Sequence, residues 1–184
     1  MTDAGWVQEV LTFWFEELSS EDWYSGSADV DEKIRARFGA LHEELTRNPP
    51  PETRTDADAA LAAVIVLDQF SRNLFRKRAE AFASDAMALD LARNALEADF
   101  DSMVPNDRRS FFYMPFMHSE VLSDQERCVD LFKQSGGENS LKYAIEHRDI
   151  IARFGRFPHR NTALGREPTE EEKAFLEGHS GFGQ

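Results

Sequence analysis

The stretch RFGRFPHRNTALGR, residues 153–166, carries four arginines, a histidine and an asparagine and no acid, in a chain of formal net charge −13. Gly155, Pro158 and Gly165 punctuate it, so its backbone follows a specific non-helical path. Phe154 and Phe157 are placed to pin that path to a core. Arg153, Arg156, Arg160 and Arg166 are then held, and fixed guanidinium groups suit two-point grips on carboxylate or phosphate. His159 and Asn161 lie among them. The competing reading is structural: the same arginines tie internal acids such as Asp68, Glu120 and Asp149 to the loop.

A second constellation lies in LAAVIVLDQFSRNLFR, residues 61–76. At about 100° per residue, its first two turns are apolar on all sides, the mark of a buried helix. Asp68, Gln69, Arg72, Asn73 and Arg76 then fall within an arc of about 140° that continues the one occupied by Leu61 and Ile65. Asp68 with Arg72 and Gln69 with Asn73 are four apart and can pair. A polar arc that extends a buried one is either a closed structural network or a ligand site.

Two histidines stand near a carboxylate or core aromatics. PFMHSE (115–120) supplies His118 and Glu120 just after a proline. His147 sits on the apolar stripe of its helix with Ala144, Ile150 and Ile151. Neither spacing is a metal motif: no His-Glu-x-x-His occurs, and the single cysteine, Cys128, rules out the Pro-Cys-x-x-Cys of zinc deaminases. No metal and no cofactor is expected. HRD at 147–149 is a decoy for the kinase catalytic loop, because Phe154 stands where that loop needs asparagine.

The elements that must position these groups read as helices. Helical spacing predicts helices over 6–18, 29–45, 57–76, 84–99 and 138–154, with Gly155 stopping the last. NPPPETRTD (48–56) is a loop, since consecutive prolines cannot continue a helix. NDRRSFFYMPFMHS is expected to be helical but bent at Pro115. Ser123 with Glu126 and Thr169 with Glu172 read as capping boxes, the first opening DQERCVDLFKQ, which Gly136 and Gly137 end. No alternating strand pattern stands out, so the expected fold is all-α, with helical hairpins in a single domain over residues 1–184.

The totals bound the function. A chain of 184 residues can bury a real core without staples. The acidic balance disfavours nucleic acid, whose affinity comes largely from phosphate neutralisation. The longest apolar run, AALAAVIVL (59–67), is far short of the roughly 20 residues that cross a bilayer, and MTDAGWVQEV lacks the form of a signal peptide. No membrane association and a cytoplasmic location are expected.

LDQFSRNLFR, AFASDAMALDLA, YMPFMHSE with SDQER, and HRDIIARFGRFPHRNTALGRE followed by an acidic last helix together resemble the bacterial family known as domain of unknown function 924. The likeness runs from VLTFWFEE nearly to the C-terminus. It implies antiparallel helix pairs stacked in a compact tetratricopeptide-repeat-like array, and no activity. The motif positions are Asp68, Gln69, Arg72, Asn73, Arg76, His118, Glu120, His147, Arg153, Arg156, His159, Arg160, Asn161 and Arg166. Val121 and Pro168 depart from the family's habit without touching this charged set.

These residues support one main expectation: a small anionic ligand, phosphate or carboxylate, bound in an Arg/His/Asp-lined polar pocket. The 68–76 helix, the His118–Glu120 turn, His147 and the 153–166 loop are expected to meet there. The alternatives are a hydrolase-type enzyme working on such a compound with histidine and carboxylate acid–base groups, and a scaffold that receives an acidic peptide. Oligomeric state is not legible in the sequence.

Overall fold

The run AALAAVIVL has no polar side chain and several that are only a methyl group, so a helix made from it is stable only where other helices surround it closely. The computed structural model of the chain describes residues 5–135 and 137–179. Every residue from 59 to 71 in it is buried. This central helix is α3 (Ala57–Val64), which passes through a π-helical turn (Ile65–Phe70) into α4 (Ser71–Leu74). Asp56 caps its start by accepting from the Ala59 amide at 2.9 Å.

Around it lie α1 (Gly5–Thr12), which runs into a second π-helical turn (Phe13–Glu17), α2 (Ala28–Arg47), α5 (Asp85–Glu97) and the short α6 (Phe100–Met103). The chain continues through α7 (Asn106–Met117), α8 (Leu122–Ser135), α9 (Glu138–Phe154) and α10 (Glu170–Gly178). The fold is all-helical, with no strand among the described residues. Helix α3 packs on α1, α5 and α7, while α7 packs on α8 and α8 on α9.

Aromatic side chains close the core on one side of the π turn. Phe70 meets Phe38 at 5.0 Å, Trp14 at 5.4 Å and Phe13 at 6.0 Å between ring centroids. Trp14 stacks on Trp23 at 5.8 Å, and Phe111 sets its edge against both tryptophans. Edge-to-face contacts of this kind add roughly 0.5–1.5 kcal/mol each beyond the area they bury.

Side chains donate to two carbonyls of the π turn. The Leu67 carbonyl accepts from the hydroxyls of Ser71 at 2.7 Å and Ser84 at 2.6 Å. Those two hydroxyls also meet each other at 2.7 Å, and His42 Nε2 lies 2.7 Å from Ser71 Oγ. The Asp68 carbonyl accepts from Arg72 Nη1 at 2.8 Å. Widened turns are frequent at functional sites because they re-aim side chains. Here the turn carries Asp68 and Gln69.

Several sequence expectations meet a different geometry. Gln69 and Asn73 do not pair: Gln69 donates to Asp68 Oδ2, and Asn73 donates to Asp31 at 2.8 Å. Helix α4 ends at Leu74, so Arg76 lies just past it. Helix α8 starts at Leu122, which puts Ser123 inside its first turn, and Ser119 binds Asp124 at 2.7 Å there. The proline loop contains a 3₁₀ turn (Pro51–Arg54). The Thr169–Glu172 capping box forms as expected, and Gly155 ends α9 at φ 69°, the left-handed region where a Cβ is penalised. Gly136 lies outside the described residues.

Replacing both Ser71 and Ser84 by alanine leaves the Leu67 carbonyl buried without those donors. The double variant should lose about 1–3 kcal/mol, read as a lower urea midpoint at unchanged slope. Ser84→Ala alone should lose less, because Ser71 still serves the carbonyl.

Candidate functional site

Asp68 is fully buried, and a carboxylate there must be fully engaged or neutral. It is engaged. Oδ1 lies 2.7 Å from His118 Nδ1 and 3.3 Å from Arg72 Nη1, while Oδ2 takes the Gln69 amide. Burial opposes its ionisation, but His118 and Arg72 more than offset this and hold its pKa below the usual carboxylate range. The ionised carboxylate only accepts, so His118 presents Nδ1–H to it.

Arg72 continues the chain of charges. Its Nη1 and Nη2 form a two-point grip on Asp85 at 2.9 and 3.1 Å. Asp85 in turn faces Arg160 Nη1 at 3.4 Å. Arg160 is 4 % exposed and lies over the rings of Phe82 at 4.5 Å and Phe157 at 4.7 Å. It donates through Nη2 to the His118 carbonyl at 2.9 Å. Burial and the neighbouring Arg72 lower its pKa to about 10, so it stays charged at neutral pH.

A cavity of about 520 Å³ opens beside this chain. Trp23, Tyr24, Met114, Phe132 and Tyr143 form apolar wall, and Gln69, Arg72, Asn73, Arg76, His118 and His147 form the polar part. Helix α9 delivers His147, whose Nδ1 donates to the Tyr143 carbonyl at 2.7 Å. Burial lowers its pKa to about 3, so the ring is neutral at physiological pH. Burial, reinforced by Arg72, also lowers that of His118. Arg76 grips Asp31 through Nε and Nη2, and Asp31 takes Asn73 as well.

The four expected segments do meet, but not all of their side chains reach the cavity. Asp68 stands behind the wall, holding His118 and Arg72. Glu120 takes Arg166 in a two-point grip at 2.8 and 3.0 Å and accepts from the Phe157 amide at 2.7 Å. Burial opposes ionisation of Glu120, but Arg166 and that amide win and lower its pKa. Arg156 grips Glu172 at 2.7 and 2.9 Å and holds that carboxyl down at about 2. Asn161 links Glu172 to Arg166. His159 meets His179 at 3.0 Å, and Arg153 reaches Glu171 at the surface. These groups fasten the 153–166 loop and α10 to the body rather than lining the cavity. Asp149, a suggested loop anchor, instead pairs with Arg148 at the surface.

Of the acids that complete the arrangement, Asp31 and Asp85 were not singled out from the sequence, and Glu172 was read only as a helix-capping residue. Asp85 was visible in AFASDAMALDLA as a motif without a role. Asp31 sits in the acid-rich first turn of α2, where helix-end electrostatics already account for it. Nothing in the local pattern distinguishes Tyr143 or Trp23 as cavity wall.

Fold and site together define a class: an all-helical protein built round a buried chain of carboxylates and arginines, with a cavity flanking it. Residues 10–180 match the family model described as bacterial protein of unknown function, DUF924, and the chain belongs to that family. The solved structure of a protein of unknown function, ATU0120 from Agrobacterium tumefaciens, is similar to it. The TM-score is 0.91 at 39% identity, covering 96% of this chain and 99% of that one. No curated protein matches this chain.

The buried neutral His147 gives the fold an acid sensitivity of known sign. Its folded pKa of about 3 lies below the unfolded value of about 6.5, so only the unfolded chain takes up the proton as pH falls through that window. This group alone should reduce stability by up to about 1.4 kcal/mol per pH unit below 6.5. His147→Gln should flatten that limb in urea melts run between about pH 6.5 and 4; an unchanged slope would contradict the assignment.

Proposed function

We propose that this protein binds a small organic anion, a carboxylate or phosphate compound, in the cavity beside Arg72. One observation carries the reading. Arg72 uses Nη1 and one side of Nη2 on Asp68 and Asp85, while its Nε is buried and has no hydrogen-bond partner among the described residues. An unpaired buried donor on a cationic group costs free energy, on the order of 1–3 kcal/mol. The Nε–Nη2 edge of a guanidinium is a natural fork for carboxylate or phosphate oxygens, and Arg72 is part of the cavity wall. Arg76 stands in the same wall with its guanidinium held by Asp31, and the aromatic side accommodates the ligand's carbon skeleton.

A second reading, a hydrolase-type enzyme acting on such a compound, has one specific observation in its favour. His118 is a cavity-wall imidazole backed by an ionised carboxylate, the arrangement that holds a general base. An acidic peptide as partner is less well supported. Arg156 and Arg166, which would receive it, are engaged with Glu172 and Glu120. For the architecture we favour hairpins stacked in the tetratricopeptide manner, supported by the consecutive packing of α7, α8 and α9. For the location we favour the cytoplasm, supported by the buried thiol of Cys128, which burial raises to about 12.

Thermal shift against inorganic phosphate, succinate, malate and glycerol 3-phosphate is the test. A ligand present at about 100 times its dissociation constant should add about 2.7 kcal/mol of stability. Arg72→Lys, which keeps the charge and removes the fork, should weaken binding at least about tenfold, or 1.4 kcal/mol. Equal binding by wild type and variant would remove Arg72 from the site. Assay of wild type and His118→Ala on 4-nitrophenyl phosphate and 4-nitrophenyl acetate separates the enzyme reading, which predicts release that depends on His118.

A further inference from the structure

The cavity offers more than positive charge. His118 caps the C-terminal end of α7, with its side chain 7% exposed and its carbonyl held by Arg160 at 2.9 Å. Its Nδ1 is committed to Asp68, an acceptor-only group, so the ring proton resides there. The other ring nitrogen, Nε2, is then a bare lone pair. It has no hydrogen-bond partner among the described residues, and it is not sealed off, because His118 is part of the cavity wall. A fixed acceptor therefore stands in the same cavity as the donor edge of Arg72, whose Nη1 shares Asp68 Oδ1 with the imidazole.

A simple dicarboxylate at neutral pH has little to offer such an acceptor, since carboxylate oxygens are acceptors themselves; inorganic phosphate keeps a P–OH that can donate, but a fully ionised phosphate monoester does not. A hydroxyl group fits both demands. Resting on the anion-binding reading, we propose that the ligand class is a hydroxylated organic anion, a hydroxy acid or a polyol phosphate, whose hydroxyl donates to His118 Nε2 while its anionic group takes the Arg72 edge. Asp68 is the positioning residue: it fixes which nitrogen of His118 is the acceptor and holds the ring in the wall. A hydroxyl that matches this fixed acceptor is expected to tighten binding about 10- to 100-fold over an analogue that lacks it.

The experiment compares matched pairs that differ by hydroxylation: malate against succinate, and glycerol 3-phosphate against propyl phosphate. Calorimetry on the wild type should give at least about tenfold tighter binding for the hydroxylated member of the pair that binds. His118→Phe, which removes the acceptor, should abolish that preference, so that both members of the pair bind equally; the readout is the ratio within the pair, which a general loss of affinity does not move. His118→Gln, which restores an acceptor oxygen, should recover part of the preference. Nitrogen-15 spectra of the wild-type imidazole provide a readout free of any variant: the Nδ1–H tautomer is expected, and an Nε2–H tautomer overturns the proposal. Equal affinities within the pairs also overturn it and leave the anion-binding reading standing. If no member of either pair binds, the Arg72 reading falls and this proposal falls with it.

Discussion

The structure depends on an alternating sequence of buried charges: Asp68, Arg72, Asp85, Arg160. Asp68 and Arg160 have been taken out of water, Arg72 and Asp85 partly so, and the cost is repaid only by neighbours of opposite sign in good geometry. No member can be neutralised alone without stranding the next. The chain also crosses the architecture, from the π turn of the central helix, through the first residue of α5, to the loop after α9, and it ends on the carbonyl of the very histidine whose ring Asp68 holds. Apolar packing makes the helices adhere; this sequence of charges sets how they are placed relative to one another at the cavity.

What the cavity can do follows from what that pairing leaves over. Most cationic groups of the 153–166 loop are engaged in holding the loop itself, through Glu120, Glu171 and Glu172. The formal abundance of arginine there is therefore a statement about attachment. The unused capacity lies elsewhere, in one edge of Arg72 and one nitrogen of His118, and both are fixed by the same carboxylate. On the proposed reading, a donor edge and an acceptor held in register by a shared anchor would discriminate by pattern rather than by charge alone.

Much of the frame was legible in the sequence. The all-helical class followed from periodicity, the burial of the 59–67 run from its lack of any polar face, and the Thr169–Glu172 cap from its spacing. The convergence of four separated segments was also readable, because a polar arc that prolongs a buried one has to meet polar partners. The sequence did not say which arginines were spoken for. Arg156 and Glu172 are 16 apart, Arg166 and Glu120 46 apart, and Arg160 and Asp85 75 apart, and no local rule connects such distances. Asp31 and Asp85 each open a helix, where an acid needs no partner to be explained, so their roles were masked by a sufficient local reason. The π turn has no signature in the residue types and shifted Gln69 and Asn73 away from the pairing that a regular helix would have given them.

That turn has a consequence for how this chain can vary. A π-helical turn holds one residue more than the α-helix it interrupts, so it acts as a phase shift between the apolar half of the central helix and the half that bears Arg72. Straightening this window into ordinary helix with all its residues kept would rotate everything beyond it by about 100°. Arg72 would then swing away from Asp85, and Ser71 away from the carbonyl it covers. The widened shape of this short window, held by the contacts on its carbonyls, is thus what aims the second half of the central helix.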